Sequence, residues 1–157
     1  MLGGFQVTLI ERATSGFALP LINSNNTSGV SFQNGGNGNN YNRPDQVAGC
    51  NPSSANHSQH QWINTACFVA SAPGKLGNAG RVPIAGPDFW NTDFSVIKQF
   101  ALPRKEMGFN LRFEFFNLFN HPQYGAPAND ISQPGFGAVT STVNNPRVIQ
   151  LAGKLTF

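Results

Sequence analysis

The stretch that most constrains this chain is residues 107–115. Met107, Phe109, Leu111, Phe113 and Phe115 stand at alternate positions, with Gly108, Asn110, Arg112 and Glu114 between them. A period of two puts these sets on opposite sides of an extended strand, whereas a helix would scatter both around its axis. A soluble antiparallel sheet also alternates. Five large apolar side chains over nine positions, opposite an arginine and a glutamate, fit a lipid face and a wet lumen better.

The pattern recurs. Trp90, Thr92, Phe94, Val96, Lys98, Phe100 and Leu102 alternate with Asn91, Asp93, Ser95, Ile97, Gln99 and Ala101, with Lys98 and Ile97 as exceptions. From Arg147 onward, Ile149, Leu151, Leu155 and Phe157 share one face, and Val148, Gln150, Ala152, Lys154 and Thr156 the other. Residues 3–14 read as a further strand, 17–22 as a short one weakened by Pro20, and 136–143 as a weak one before a tight Asn144-Asn145-Pro146 turn. Leu118 and Phe119 extend the strand that starts at 107, and Pro103-Arg104-Lys105-Glu106 is the polar turn before it. The fold class expected is all-β: antiparallel up-and-down strands of a partial transmembrane barrel, about five of them.

Composition agrees. Charged residues make up 11% of the chain, against a usual share of about 25%. The 17 glycines, 11 prolines and 14 phenylalanines suit strands joined by turns. The net charge is +3 with no Lys/Arg cluster, so no nucleic-acid partner is expected. No apolar run approaches the ~20 residues of a membrane-spanning helix, which leaves barrel strands open. Residues 23–88 carry no sustained period and are rich in Asn, Ser and Gly. They are expected to be a long irregular loop, extracellular if the strands form a barrel. The expected organisation is strands over 1–22, this loop over 23–88, and strands over 89–157. The last region divides into a hairpin 89–119, a loop 120–135 and a hairpin 136–157. The N-terminus shows no basic targeting region, so a secreted barrel would have its signal upstream and the chain would be a fragment.

Residues with chemistry are few. Cys50 and Cys67 are either a disulfide, favoured in an oxidising compartment, or two free thiols. His57 and His60 lie between them at a spacing that matches no zinc-finger pattern, and read as a polar loop. His121 precedes Pro122 at a strand end. Asp88 and Asp93 flank a strand start, and Glu114, two residues from Arg112 on the expected lumen face, reads as a member of an ion pair or as paired with a cross-strand partner. No nucleophile elbow, P-loop or zincin helix is present. The glycines at 35–38 precede neither a helix nor a lysine. The Asn-x-Ser/Thr sequons at Asn25, Asn26 and Asn56 mean little if the source is bacterial. No catalytic, cofactor or metal site is expected, and the chain is not expected to be an enzyme.

Several stretches resemble one family. Residues 76–100, LGNAGRVPIAGPDFWNTDFSVIKQF, are similar to a "GNxGRNxxxGPGFxNxDxSxxKxF" run. Residues 111–125, LRFEFFNLFNHPQYG, are similar to "RxEFFNLFNHPxFG", and residues 136–157 to "FGxITSTxNNPRxIQLALKLxF". Gly3-Gly4-Phe5-Gln6-Val7 and Ser15-Gly16-Phe17 are similar to "GGWQVSGI…QSGFPF", while residues 23–73 match only through Asn42-Arg43-Pro44 and Trp62 to Phe68. These runs resemble the C-terminal barrel segment of TonB-dependent receptor-like proteins, the large type with an N-terminal carboxypeptidase-regulatory-like domain found in Acidobacteria. The resemblance implies nutrient uptake across the outer membrane, of a carbohydrate or another bulky substrate. It implies a barrel of ~22 strands with a plug, so this piece alone would be inactive and would reach the TonB complex only through regions it lacks. Trp90, Phe94, Phe100, Phe109, Leu111, Phe113, Phe115 and Phe157 become lipid-facing or belt residues, and Arg112 and Glu114 lumen-facing ones. Gln150, Ala152, Leu155 and Phe157 resemble the outer-membrane assembly signal. The implied partners are outer-membrane lipid, the remaining barrel and plug, and the assembly machinery.

One rival is a soluble β-sandwich binding module, for carbohydrate for example, with Phe109, Phe113 and Phe115 buried together. An enzyme of unknown class would need convergent titratable residues.

Overall fold

The alternating segments satisfy their backbone groups by pairing side by side. The computed structural model describes residues 3–25, 27–29, 42–53, 57–103 and 107–157. Four long strands form one sheet: β1 (Phe5–Thr14), β6 (Phe89–Ala101), β7 (Gly108–Phe116) and β8 (Val148–Thr156), in the order β1-β6-β7-β8. Every neighbouring pair is antiparallel. The sheet does not close on itself, so β1 and β8 are its edges. The strands are 10, 13, 9 and 9 residues long, close to the ~9–11 that cross a bilayer as tilted strands. No described helix is long and apolar enough to cross one. The fold class is therefore all-β, antiparallel, and a partial barrel.

Short strands make up the rest: β2 (Ala18–Leu19) with β5 (Ile84–Ala85), and β3 (Asp45–Gln46) with β4 (Phe68–Val69), plus one 3-10 turn, Thr65–Cys67. The chain divides into two units. One holds the four-stranded sheet, and the other comprises Gly16–Pro87 and Tyr124–Ser141.

The second unit corrects the expectation for residues 23–88. They are no structureless loop. Leu19, Leu21, Trp62, Ile63, Cys67, Phe68, Ala79, Ile84 and Val139 form a buried cluster. Cys50 and Cys67 are joined by a disulfide across 17 residues, with Cα atoms 5.4 Å apart. Buried Asn and Ser side chains supply the partners that a regular ladder would otherwise provide. Asn23 Nδ2 donates to Thr27 Oγ1 at 3.3 Å, and Ser28 Oγ to Asn42 Oδ1 at 2.7 Å. Asp45 and Asn78 lock two segments reciprocally: Asn78 N donates to Asp45 Oδ1 at 2.8 Å and Gln46 N to Asn78 Oδ1 at 2.7 Å. Gly77 is required beside this lock, because a Cβ there would stand 1.9 Å from the Arg43 carbonyl oxygen. The glycines at 35–38, Asn26, Asn56 and the turn residues 104–106 lie outside the described residues.

Two strand expectations fail. Residues 136–143 form no strand. Gly135 and Gly137 have φ of 86° and 82°, Gly137 N bonds to Ala128 O, and Val139, 2% exposed, is part of the buried cluster. The expected hairpin 136–157 therefore does not exist. β8 pairs with β7 instead, and four long strands stand where about five were expected. Leu118 and Phe119 do not extend β7 either, because Asn117 turns the backbone to φ 53°.

Asp130 anchors this unit electrostatically. Burial opposes its charged form, but hydrogen bonds from the Ser24 and Ser132 side chains and backbone N–H groups outweigh it and hold its pKa below the ordinary value near 3.8. Its Oδ1 accepts from Ser24 N at 3.2 Å, Ser132 N at 3.0 Å and Ser132 Oγ at 2.7 Å. A depressed folded pKa contributes stability above the unfolded value and loses it as pH falls through the folded value. Acid titration of unfolding should therefore show a loss of stability below pH about 3.8 that Asp130→Asn removes; an unchanged acid limb would refute this. Replacing Cys50 and Cys67 together by serine should lower the stability of this unit by roughly 3 kcal/mol for a loop of this length. Hydrogen exchange at Ile63 and Phe68 is the measurement.

Candidate functional site

Residues paired directly across antiparallel strands share a side of the sheet. Val7 meets Val96, which meets Phe113, which meets Leu151. Leu9 meets Phe94, then Phe115, then Ile149. Phe100 meets Phe109, then Leu155. One apolar face therefore runs across all four strands. Aromatic contacts reinforce it, with ring centroids 6.1 Å apart for Phe94–Phe115 and 5.9 Å for Phe100–Phe109. The face is uncovered: Leu9 is 60% exposed, Leu151 63% and Phe113 39%. Phe109, Phe113 and Phe115 lie on this open face rather than in a core, contrary to the soluble-sandwich expectation.

Two described charged residues share that face, Glu11 and Lys98, and both sit towards its margins. Lys98 Nζ lies 3.9 Å from the Phe5 ring centroid and donates to Gly3 O at 2.5 Å, at the short-turn end. Glu11 Oε1 accepts from Trp90 Nε1 at 2.7 Å at the other end, where Trp90 stacks on Phe119 at 5.3 Å. Long cationic side chains reach out of apolar surroundings in this way.

The reverse face carries Gln6, Thr8 and Arg12, then Asn91, Asp93, Ser95 and Gln99, then Asn110, Arg112 and Glu114, then Gln150 and Lys154. Arg112 Nη1 lies 3.6 Å from Glu114 Oε1. Gln150 and Ala152 are on this face of β8; Leu155 is on the apolar face, and Phe157 follows the strand with 90% exposure.

Where strand pairing stops, side-chain amides take over. Asn117 is buried and its N–H donates to Asp93 Oδ1 at 2.9 Å. Its Nδ2 donates to the carbonyls of His121 and Asn145, each at 3.2 Å, and its Oδ1 accepts from His121 N at 3.0 Å. Gln123, 2% exposed, accepts from Trp90 N at 2.8 Å through Oε1 and donates through Nε2 to Trp90 O. Gln123 N donates to Asn144 Oδ1 at 2.8 Å, and Asn144 Nδ2 to His121 O at 3.0 Å. Arg147 N donates to Asn120 Oδ1 at 3.0 Å. This clasp ties the ends of β6, β7 and β8 together. Asn suits positions 117 and 120 because it tolerates their φ of 53° and 52°.

Beside the clasp, on the polar face, lies a hollow of about 450 Å³. Arg12, Phe89, Asn91 and Asp93 line one side, with Phe116 and Val148 beyond them. The 143–146 turn, which the clasp holds, forms a further wall.

A sheet with an open apolar face, a polar reverse and membrane-length strands matches one family model, that of an outer membrane beta barrel domain, over residues 1–150. The chain belongs to this outer-membrane β-barrel family. It is accordingly a protein of the bacterial outer membrane. Neither a curated protein nor a solved structure matches the chain.

Within this barrel domain the singled-out residues fall into distinct places. Cys50 and Cys67 are bonded, and His57 stacks on Trp62 at 4.7 Å while His60 is exposed. No group of three or more His, Cys, Asp or Glu able to hold a metal occurs among the described residues. His121 belongs to the clasp, with Nδ1 2.9 Å from Gln123 Nε2. Sequence reasoning missed Asn117, Gln123 and Asn144, as well as the hollow with Arg12 and Phe89. The signal for the clasp was the density of amides between the breakers at 117–123 and 144–147.

Gln123→Ala should cost roughly 1–3 kcal/mol by leaving the Trp90 backbone groups unpaired, and should speed hydrogen exchange at Trp90. Wild-type exchange there in the folded variant would count against the clasp.

Proposed function

We propose that this chain forms part of a TonB-dependent receptor that takes up a nutrient across the outer membrane. The observation that carries the reading is the apolar face, continuous over four strands, open, and charged only towards its margins. In this reading it meets lipid, with Trp90, Phe94, Phe100, Phe109, Leu111, Phe113, Phe115 and Phe157 as its aromatic and aliphatic contacts. The polar face, with Arg112 and Glu114, lines the lumen. The short turn between β6 and β7 points to the periplasm, and the long connections β1–β6 and β7–β8 leave on the outer side.

The finer assignment is supported by the signature runs shared with TonB-dependent receptor-like proteins. Their residues supply the clasp and the Gly77 contact, so the signature corresponds to parts this fold uses. The remaining barrel strands pair with the free edges of β1 and β8, and the plug lies against the lumen face. The assembly machinery engages β8 through Gln150, Ala152, Leu155 and Phe157, and the TonB complex acts through regions outside this chain. It has no catalytic role and no nucleic-acid partner, and by itself it transports nothing.

Two measurements test this. In a Trp62→Phe background, lipids brominated near the headgroup should quench Trp90 fluorescence more than lipids brominated at the chain ends. No quenching by either would remove the lipid assignment. In the organism, loss of the receptor and loss of TonB should abolish uptake of the same compounds from a complex medium, followed by mass spectrometry. Uptake that needs the receptor and not TonB would overturn the transport reading.

A further inference from the structure

The hollow at the clasp end of the polar face has unspent chemistry of a definite kind. Most of its polar groups are committed. Asp93 Oδ1 already accepts from Asn91 Nδ2 and Asn117 N, both at 2.9 Å. The Asn144 amide is used at both ends, on Gln123 N and His121 O. Two groups remain. The Arg12 guanidinium stands 5.0 Å from the centroid of the Phe89 ring and has no carboxylate or hydrogen-bond partner among the described residues. The Asn145 side-chain amide likewise makes no hydrogen bond among them, its backbone carbonyl alone accepting from Asn117. The other walls, Phe116, Val143, Pro146 and Val148, are apolar.

We propose that this hollow binds a small organic acid with a flat apolar body. Its carboxylate is taken by Arg12 with help from Asn145, and its body packs against Phe116 and Val148. The cation–π contact with Phe89 helps to place the guanidinium, and a guanidinium matches a carboxylate in two parallel hydrogen bonds. The hollow's volume of about 450 Å³ lies within the usual range for small-molecule sites. A bare inorganic anion would leave the apolar walls unused, and a neutral body would leave Arg12 unpaired. The proposal rests on the reading of this face as a lumen.

The test uses the full chain folded in detergent, with ferulate as probe, methyl ferulate as its uncharged counterpart, and inorganic phosphate as a competitor. Ferulate should bind about tenfold more tightly than methyl ferulate by titration calorimetry, the worth of a charge-assisted hydrogen bond. Arg12→Gln should erase that preference. Arg12→Lys should keep only part of it, and phosphate should not displace ferulate. Arg12 is exposed, so circular dichroism should confirm that both variants fold. No ferulate binding, equal affinity for the ester, an unchanged preference in Arg12→Gln, or displacement by phosphate would each overturn the proposal. Loss of TonB-dependent uptake with this binding intact would sink only the transport reading, so the two failures are distinguishable.

Discussion

Register is the constraint on which the rest of this molecule depends. Side chains in a strand alternate strictly, so a slip of one residue between any two of the four strands would move a whole row of phenylalanines to the polar face. The register pins itself from both sides. Phe94 against Phe115 and Phe100 against Phe109 reward the correct alignment, and Arg112 and Glu114 penalise the shifted one. In a hydrocarbon environment the backbone has no water to fall back on, so the ladder and the side-chain pattern must agree at every position.

The ladder has to stop somewhere, and the clasp shows how. Strand ends expose N–H and C=O groups that need partners. Here Asn117, Gln123 and Asn144 provide them, doing with amides what a capping residue does for a helix. The same economy of polar side chains organises the second unit, where Asp45 accepts from Asn78 N, Asn78 accepts from Gln46 N, and Asp130 gathers three donors on one oxygen. Signature runs that look like markers of a binding function are, in this fold, largely fasteners. The 143–146 turn is fastened too, and it thereby walls the hollow beside Arg12.

The legible parts were those whose information is local. β6, β7 and β8 were readable because period two recurs at strand length, and the sheet's faces followed directly from it. The second unit was opaque because its core has no period. Leu19, Trp62, Ile63, Phe68, Ile84 and Val139 are scattered along more than a hundred residues, and only chain folding brings them together. Residues 136–143 deceived the reading for the converse reason. Val139 and its neighbours look strand-like, but positive-φ glycines at 135 and 137 and a place in that distant core override the local pattern. Arg12 escaped notice because an isolated arginine at a strand end carries no signal until Phe89 is seen beneath it.

The free edges of the sheet carry a consequence of parity. With β1-β6-β7-β8 all antiparallel, β1 and β8 run in opposite directions. Any set of strands that bridges the two edges by antiparallel pairing alone must therefore contain an even number of members. A ring completed around this sheet grows in hairpins, never by a single strand, which agrees with the even strand counts of bacterial outer-membrane barrels.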